Sequence, residues 1–402
     1  MIGALWDQAQ ILDVDRLLAD PTTRILVCCG SGGVGKTTTA AALGVRAAES
    51  GRRAVVLTID PARRLAQSLG LSQLDNSPAP VPGIDASAGG SLDAMMLDMK
   101  RTFDEVVEAH ADPERAAAIL ANPFYQALSS SFAGTQEYMA MEKLGQLHRE
   151  SRAVGRWDLI VVDTPPSRSA LDFLDAPKRL ETFLDGRLIR ILAAPARAGG
   201  KAYARLLSAS LGVFSNVLNR IVGAQILRDL QLFVASFDAL FGGFRERAEV
   251  THALLASPGT SFLVVAAPEP DALREASYFV ERLASEGMPM AGLVLNRVAP
   301  VRLPELTAEQ AGAGAERLRD PDPDPDTAAA LAASLLDLHA DRMRQSARQH
   351  HIADRFVAAH PHVPVVAVMA LAQDVHDLDG LRRIGGLLAE GTPDVALTPA
   401  KP

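Results

Sequence analysis

The chain has 402 residues, of which 48% are hydrophobic, 22% charged and only 5% aromatic. Its 40 lysines and arginines against 48 acids leave a net charge of −8, which argues against a general nucleic-acid binder, and the scarcity of aromatics argues against base-stacking platforms. The length suits a large α/β domain with insertions, and no run reaches the about 18 uninterrupted apolar residues that a membrane-spanning helix needs.

Residues 1 to 22 read as a short amphipathic lead-in, with Leu12, Val14, Leu17 and Leu18 on one helical face and Pro21 as its stop. The segment carries acids and no basic n-region, so it does not read as a secretory signal. Arg24 to Cys29 is a short apolar run with β-branched residues and is predicted as a buried strand. The chain's two cysteines, Cys28 and Cys29, lie at its end; they read as small packing residues in a reducing, cytoplasmic setting.

Gly30 to Thr37 then fits the phosphate-loop pattern G-x-x-x-x-G-K-[ST]. The alanine-rich stretch from Lys36 to Ser50 follows as a predicted helix stopped at Gly51. Strand, glycine loop and helix are the context that this motif requires. Glycines let successive backbone N–H groups curl around an oxyanion, and the helix N-terminus adds partial positive charge. The expected nucleotide-binding residues are Gly32, Gly33, Val34, Gly35, Lys36, Thr37 and Thr38. Lys36 is expected to reach the β- and γ-phosphates, and the Thr37 hydroxyl to ligate Mg²⁺.

Arg53 to Ile59 is a second apolar run, read as a parallel strand buried on both faces, and it delivers Asp60 at its C-terminal end, where open α/β sheets place their ligands. Residues 65 to 90 read as surface connection, and 92 to 150 as mostly helical. The start of that second stretch stays open: Leu92, Ala94 and Met96 also alternate as a strand would. Trp157 to Asp163 is the third buried strand; four apolar residues ending in an aspartate form the second signature of a nucleotide site, with Asp163 supporting Mg²⁺ through water. Residues 180 to 255 are helical and unusually apolar, either packing on their own neighbours or forming a groove for an apolar protein or lipid partner. Further strands are expected at Ser261–Ala267, Met290–Leu295 and Val363–Val368, with helices at Ala272–Glu286, 327–358 and Leu378–Leu388. Residues 308 to 326, with their Pro-Asp alternation, read as an exposed disordered insert, and 391 to 402 as a loose tail.

Taken in order, the loop, Thr58-Ile59-Asp60-Pro61-Ala62, Asp163-Thr164-Pro165-Pro166-Ser167 and Leu295-Asn296-Arg297 resemble the ArsA-type ATPases, in particular their actinobacterial members. The runs Thr135–Leu144 and Leu171–Leu180 carry the same resemblance. It implies a doubly wound, mostly parallel sheet of the P-loop NTPase type with an inserted helical subdomain. The expected division is a core over 1–91, 151–179 and 256–390, interrupted by helices over 92–150 and 180–255. By matching positions, Asp60 is expected to be the catalytic aspartate that orients the attacking water, and Asn296 the residue that recognises adenine. No Asn/Thr-Lys-x-Asp guanine pattern occurs, which favours ATP. ATP binding would close a dimer and move a helical partner-binding surface.

Three departures narrow this. Members of the family usually carry a lysine where this chain has Ser31, and that lysine reaches the partner's nucleotide. Its loss implies weak hydrolysis alone and a pairing with a lysine-bearing paralogue, or else a regulatory subunit that holds ATP without turning it over; Arg63, Arg64 and Arg168 are candidate substitutes. With only Cys28 and Cys29 available, no metalloid site and no zinc-stapled dimer are expected.

Overall fold

The computed structural model describes residues 9–60, 64–123, 125, 126, 129, 135–165, 246–319 and 328–391. Within them the chain divides into two compact units. The larger comprises the described residues within 1–96, 155–170 and 255–402; the smaller comprises those within 97–154 and 171–254.

The larger unit is built on one eight-stranded sheet. Its strands are β1 (Ile25–Cys29), β2 (Arg53–Thr58), β3 (Ala79–Pro80), β4 (Ser91–Met96), β5 (Leu159–Asp163), β6 (Thr260–Ala266), β7 (Met290–Val298) and β8 (Val365–Met369). They lie in the order β3-β4-β2-β5-β1-β6-β7-β8, all parallel except the β3–β4 edge pair. β1 and β5 are buried at every residue, which is why they read as continuous apolar runs. Helices α1 (Val14–Ala19), α2 (Lys36–Glu49) and α3 (Arg64–Ser68) come from the N-terminal part, and α7 (Pro270–Ser285), α8 (Ala308–Leu318), α9 (Ala328–Ala359) and α10 (Leu378–Glu390) from the C-terminal part. α2 lies against β2 closely enough that a Cβ on Gly44 would sit 2.5 Å from Val56 Cγ2. An alanine-rich helix allows that approach, and its alanines 40 to 42 are fully buried. This doubly wound α/β sheet is the fold class expected from the sequence.

One reading left open is settled, and two change. Residues 91–96 form the strand of the two alternatives: Leu92, Ala94 and Met95 are buried, and Asp93 accepts the Trp157 indole N–H at 2.9 Å. The 65–90 connection is less superficial than expected, since Leu65 and Leu69 are fully buried. The largest correction falls on the supposed disordered insert. Residues 308–318 are helix α8, opened by a reciprocal capping box between Thr307 and Gln310 and seated on buried Ala311 and Ala315. Small residues pack a helix without the apolar signature that marks a core, so composition alone misread it. Residues 320–326 of that insert lie outside the described residues.

The smaller unit contains α4 (Met99–His110), α5 (Pro113–Leu120), α6 (Thr135–Val154) and a helical segment over 246–254. Glu142, 3% exposed, is paired there with Arg247 at 2.9 Å and Arg149 at 3.5 Å. The apolar stretch 180–245 with its expected groove, the tail 392–402 and the first eight residues lie outside the described residues. No helix among the described residues is long and apolar enough to cross a membrane.

The capping box should govern α8. Thr307→Ala is expected to speed amide hydrogen exchange across 308–318 by about five-fold, the equivalent of about 1 kcal/mol, and unchanged exchange would contradict the assignment.

Candidate active site

The loop between β1 and α2 owes its shape to glycine. Gly30, Gly33 and Gly35 have φ of 148°, 77° and 96°, a region that side-chain-bearing residues rarely adopt. A Cβ on Gly30 would collide with the Val265 carbonyl of β6, and one on Gly35 with the Asn296 amide. Gly35 is the N-cap of α2, and no side chain among the described residues caps that helix end. Its first N–H groups are therefore left for an oxyanion.

Lys36 is 6% exposed and curls back so that Nζ donates to the Ser31 carbonyl at 2.9 Å. Burial pulls its pKa down, and the nearby Asp163 carboxylate opposes that. Thr37 Oγ1 donates to Asp163 Oδ2 at 2.7 Å, and Thr58 Oγ1 donates to the same oxygen at 2.8 Å. The register explains the meeting, because β5 lies between β1 and β2 with Asp163 opposite both Cys28 and Thr58. Asp163 is completely buried, and its other oxygen, Oδ1, has no hydrogen-bond partner among the described residues. Desolvation pushes its pKa up to about 6, against the pull of the Thr37 and Thr58 hydrogen bonds.

Asp60 sits just beyond β2, half-buried, with its backbone N–H on Thr58 Oγ1 at 3.2 Å. It contributes electrostatically to both Lys36 and Asp163, so the three expected charged residues share one locality. Asn296, on β7, reaches the loop from the other side: Nδ2 donates to the Val34 carbonyl at 2.8 Å, and Oδ1 accepts the Arg297 N–H at 3.0 Å. One amide hydrogen and one oxygen lone pair remain on Asn296 beyond these bonds. Thr38 is half-buried on the first turn of α2. A cleft of about 720 Å³ opens beside Ser31–Val34, bordered by Glu269, Asp271, Glu275 and Arg297. Arg63 and Arg168 and the side chain of Arg64 lie outside the described residues. Cys28 and Cys29 are free and buried, and burial pushes the Cys29 thiol up to about 12.

Two contributors carried no expectation. Thr58 bridges Asp60 and Asp163; it stood in the sequence as a polar residue closing an apolar strand, inside the motif Thr58–Ala62, but with no role of its own. Arg297 donates Nη1 to the Gly33 carbonyl at 2.9 Å, a contact spanning 264 positions that leaves no local pattern.

A Mg²⁺ ion fits this donor set. A hard cation seeks oxygen, and a buried carboxylate oxygen without a partner stands beside a threonine hydroxyl.

The sheet order, the glycine loop at the head of α2 and an aspartate at the tip of the adjacent strand define a P-loop nucleotide-binding protein of the doubly wound class. The family model described as "Anion-transporting ATPase" matches residues 23–311, and the chain belongs to this ArsA ATPase family. The ATPase GET3 of Malassezia globosa is 29% identical over 178 residues, covering 44% of this chain and 50% of that protein. The ATPase ARSA1 of Chlamydomonas reinhardtii is 25% identical over 305 residues, 71% of this chain and 36% of that protein. An uncharacterized protein of Streptomyces coelicolor is 30% identical over 294 residues, 70% of this chain and 64% of that protein. The chain thus spans between 36% and 64% of the length of these relatives.

Asp163 makes the fold sensitive to pH. Its folded pKa of about 6 exceeds the reference 3.8, so the folded chain holds this proton more tightly than the unfolded one. Stability tied to Asp163 is therefore fully present below about pH 4 and lost as pH rises through about 6. Asp163→Asn should raise the unfolding free energy of the nucleotide-free chain at pH 7.5 by about 1–3 kcal/mol and flatten that pH dependence. Chemical denaturation at pH 4.5 and 7.5 checks this, and a less stable variant at pH 7.5 would contradict it.

Proposed function

We propose that the chain binds ATP with Mg²⁺ and hydrolyses it to ADP and phosphate, with nucleotide state controlling dimer closure. The observation that carries this reading is the Thr37–Asp163–Thr58 cluster at the foot of a glycine loop. The loop N–H groups from Gly32 to Thr38 cradle the phosphates, and the Lys36 ammonium leaves the Ser31 carbonyl to meet the β- and γ-oxygens. When bound, Mg²⁺ neutralises charge on the leaving oxygens. Thr37 would ligate it directly, and Asp163 would hold a water in its shell. Asp60, aligned through Thr58, positions the attacking water, and Asn296 offers its remaining amide hydrogen and lone pair to adenine. Asp60 and the segment after Asp163 sense the γ-phosphate and move the helical unit, exposing an apolar surface to a protein or lipid client in the cytoplasm.

Ser31 supports a refinement. A serine cannot deliver the cation that the resemblance places at this position. One transition-state donor or charge is worth about 3–4 kcal/mol, or roughly 10²–10³ in rate. The chain is therefore expected to turn over slowly alone and faster beside a paralogue that carries the lysine. The second reading, favoured by the same residue, is a regulatory subunit that holds ATP unhydrolysed.

Steady-state turnover decides between them. Ser31→Lys is expected to raise turnover of the isolated chain by about ten-fold or more, and Asp60→Asn to abolish single-turnover hydrolysis while leaving ATP binding intact. Fast turnover by the unaltered chain alone would sink the paralogue pairing. No cleavage in a single turnover, with or without the paralogue, would establish the regulatory reading instead.

A further inference from the structure

The sequence pattern assigns no task to Arg297. In the structure it is the extra residue of a bulge, because β7 faces β8 at Asn296 opposite Val368 and at Val298 opposite Met369. Its φ of 63° is the only left-handed backbone at a non-glycine position among the described residues. Glycine would adopt that conformation at less steric cost, so the turn by itself does not call for an arginine.

What the arginine adds is a hand on the phosphate loop. Nη1 holds the Gly33 carbonyl at 2.9 Å, while the Asn296 amide holds the next carbonyl, Val34, at 2.8 Å. The Arg297 backbone N–H in turn fixes Asn296 Oδ1 at 3.0 Å. Each trans peptide unit points its N–H opposite its carbonyl. Drawing the Gly33 and Val34 carbonyls toward β7 therefore sends the N–H groups of Val34 and Gly35 to the side away from it. Those are two of the amides that a phosphate nest needs. The fit against Gly35 is tight, since a Cβ there would strike the Asn296 amide. Arg297 itself is exposed, so trimming it opens no cavity in the core.

We propose that Arg297 is a positioning residue for phosphate binding: with Asn296 it pins two successive loop carbonyls outward, so that the loop amides are already aimed before a nucleotide arrives. The inference rests on the nucleotide-binding reading above and deepens it. It separates two jobs on neighbouring residues, with Arg297 acting on the phosphates through the loop and having no part in reading the base.

Equilibrium binding of Mg·ADP and Mg·GDP to the full chain and to Arg297→Met, Arg297→Gly and Arg297→Lys tests it. Arg297→Met and Arg297→Gly should weaken Mg·ADP about five-fold, the effect of one lost hydrogen bond, with the thermal midpoint of the nucleotide-free protein unchanged or, for glycine, raised. Arg297→Lys, which keeps a donor for the Gly33 carbonyl, should recover binding to within about two-fold. The ratio of ADP to GDP affinity should not move in any of the three. Arg297→Met binding as tightly as the unaltered chain overturns the proposal, as does a lysine variant no better than methionine or a shifted base preference. Failure of the unaltered chain to take up either nucleotide would instead remove the nucleotide-binding reading beneath it.

Discussion

A single carboxylate sets the terms for the nucleotide site. Asp163 ends β5, out of contact with water, with two hydroxyls from different parts of the chain on one oxygen and, among the described residues, no partner on the other. Burying a charge with a bare oxygen opposes folding, and packing alone would favour an apolar residue there. The arrangement makes physical sense for a site completed by a cation and an anion together. Its two hydroxyl donors also tie the loop, through Thr37, to the next strand tip, through Thr58. Asp60 is held from the same point, because its backbone N–H bonds to the Thr58 hydroxyl.

From the opposite side, β7 supplies the second restraint on the loop. Asp163 and Thr37 fix the head of α2, whereas Asn296 and Arg297 fix the carbonyls ahead of it. Lys36 meanwhile occupies the Ser31 carbonyl, so residue 31 contributes to the loop through its backbone. In the proposed reading, holding phosphate and accelerating its transfer are separable. The first would draw on amides, which no side-chain change at residue 31 removes. The second would call for a cation that this side chain does not supply.

Much of this was legible in the sequence, for a definite reason. Parallel strands buried on both faces must be apolar throughout, so β1, β2 and β5 stand out as unbroken runs, and the polar residues that close them fall where ligands bind. That logic located the loop, Asp60 and Asp163. It failed where the signal was short or non-local. Six residues at β4 are too few to separate a period of 2 from one of 3.6. The alanine face of α8 carried no apolar stripe. Arg297 lies 264 positions from the carbonyl it holds, a pairing that only the folded sheet brings about.

The central claim is that Thr37 and the bare oxygen of Asp163 frame a metal-nucleotide site. Crystals grown with ADP and Mn²⁺ in place of Mg²⁺ test it most directly, through the anomalous signal of the metal. One peak per chain is expected within ligand distance of Thr37 Oγ1, with Asp163 Oδ1 facing the metal's water shell and the β-phosphate among the amides of residues 32–37. Nucleotide bound with no peak there, or a peak remote from both side chains, would contradict it.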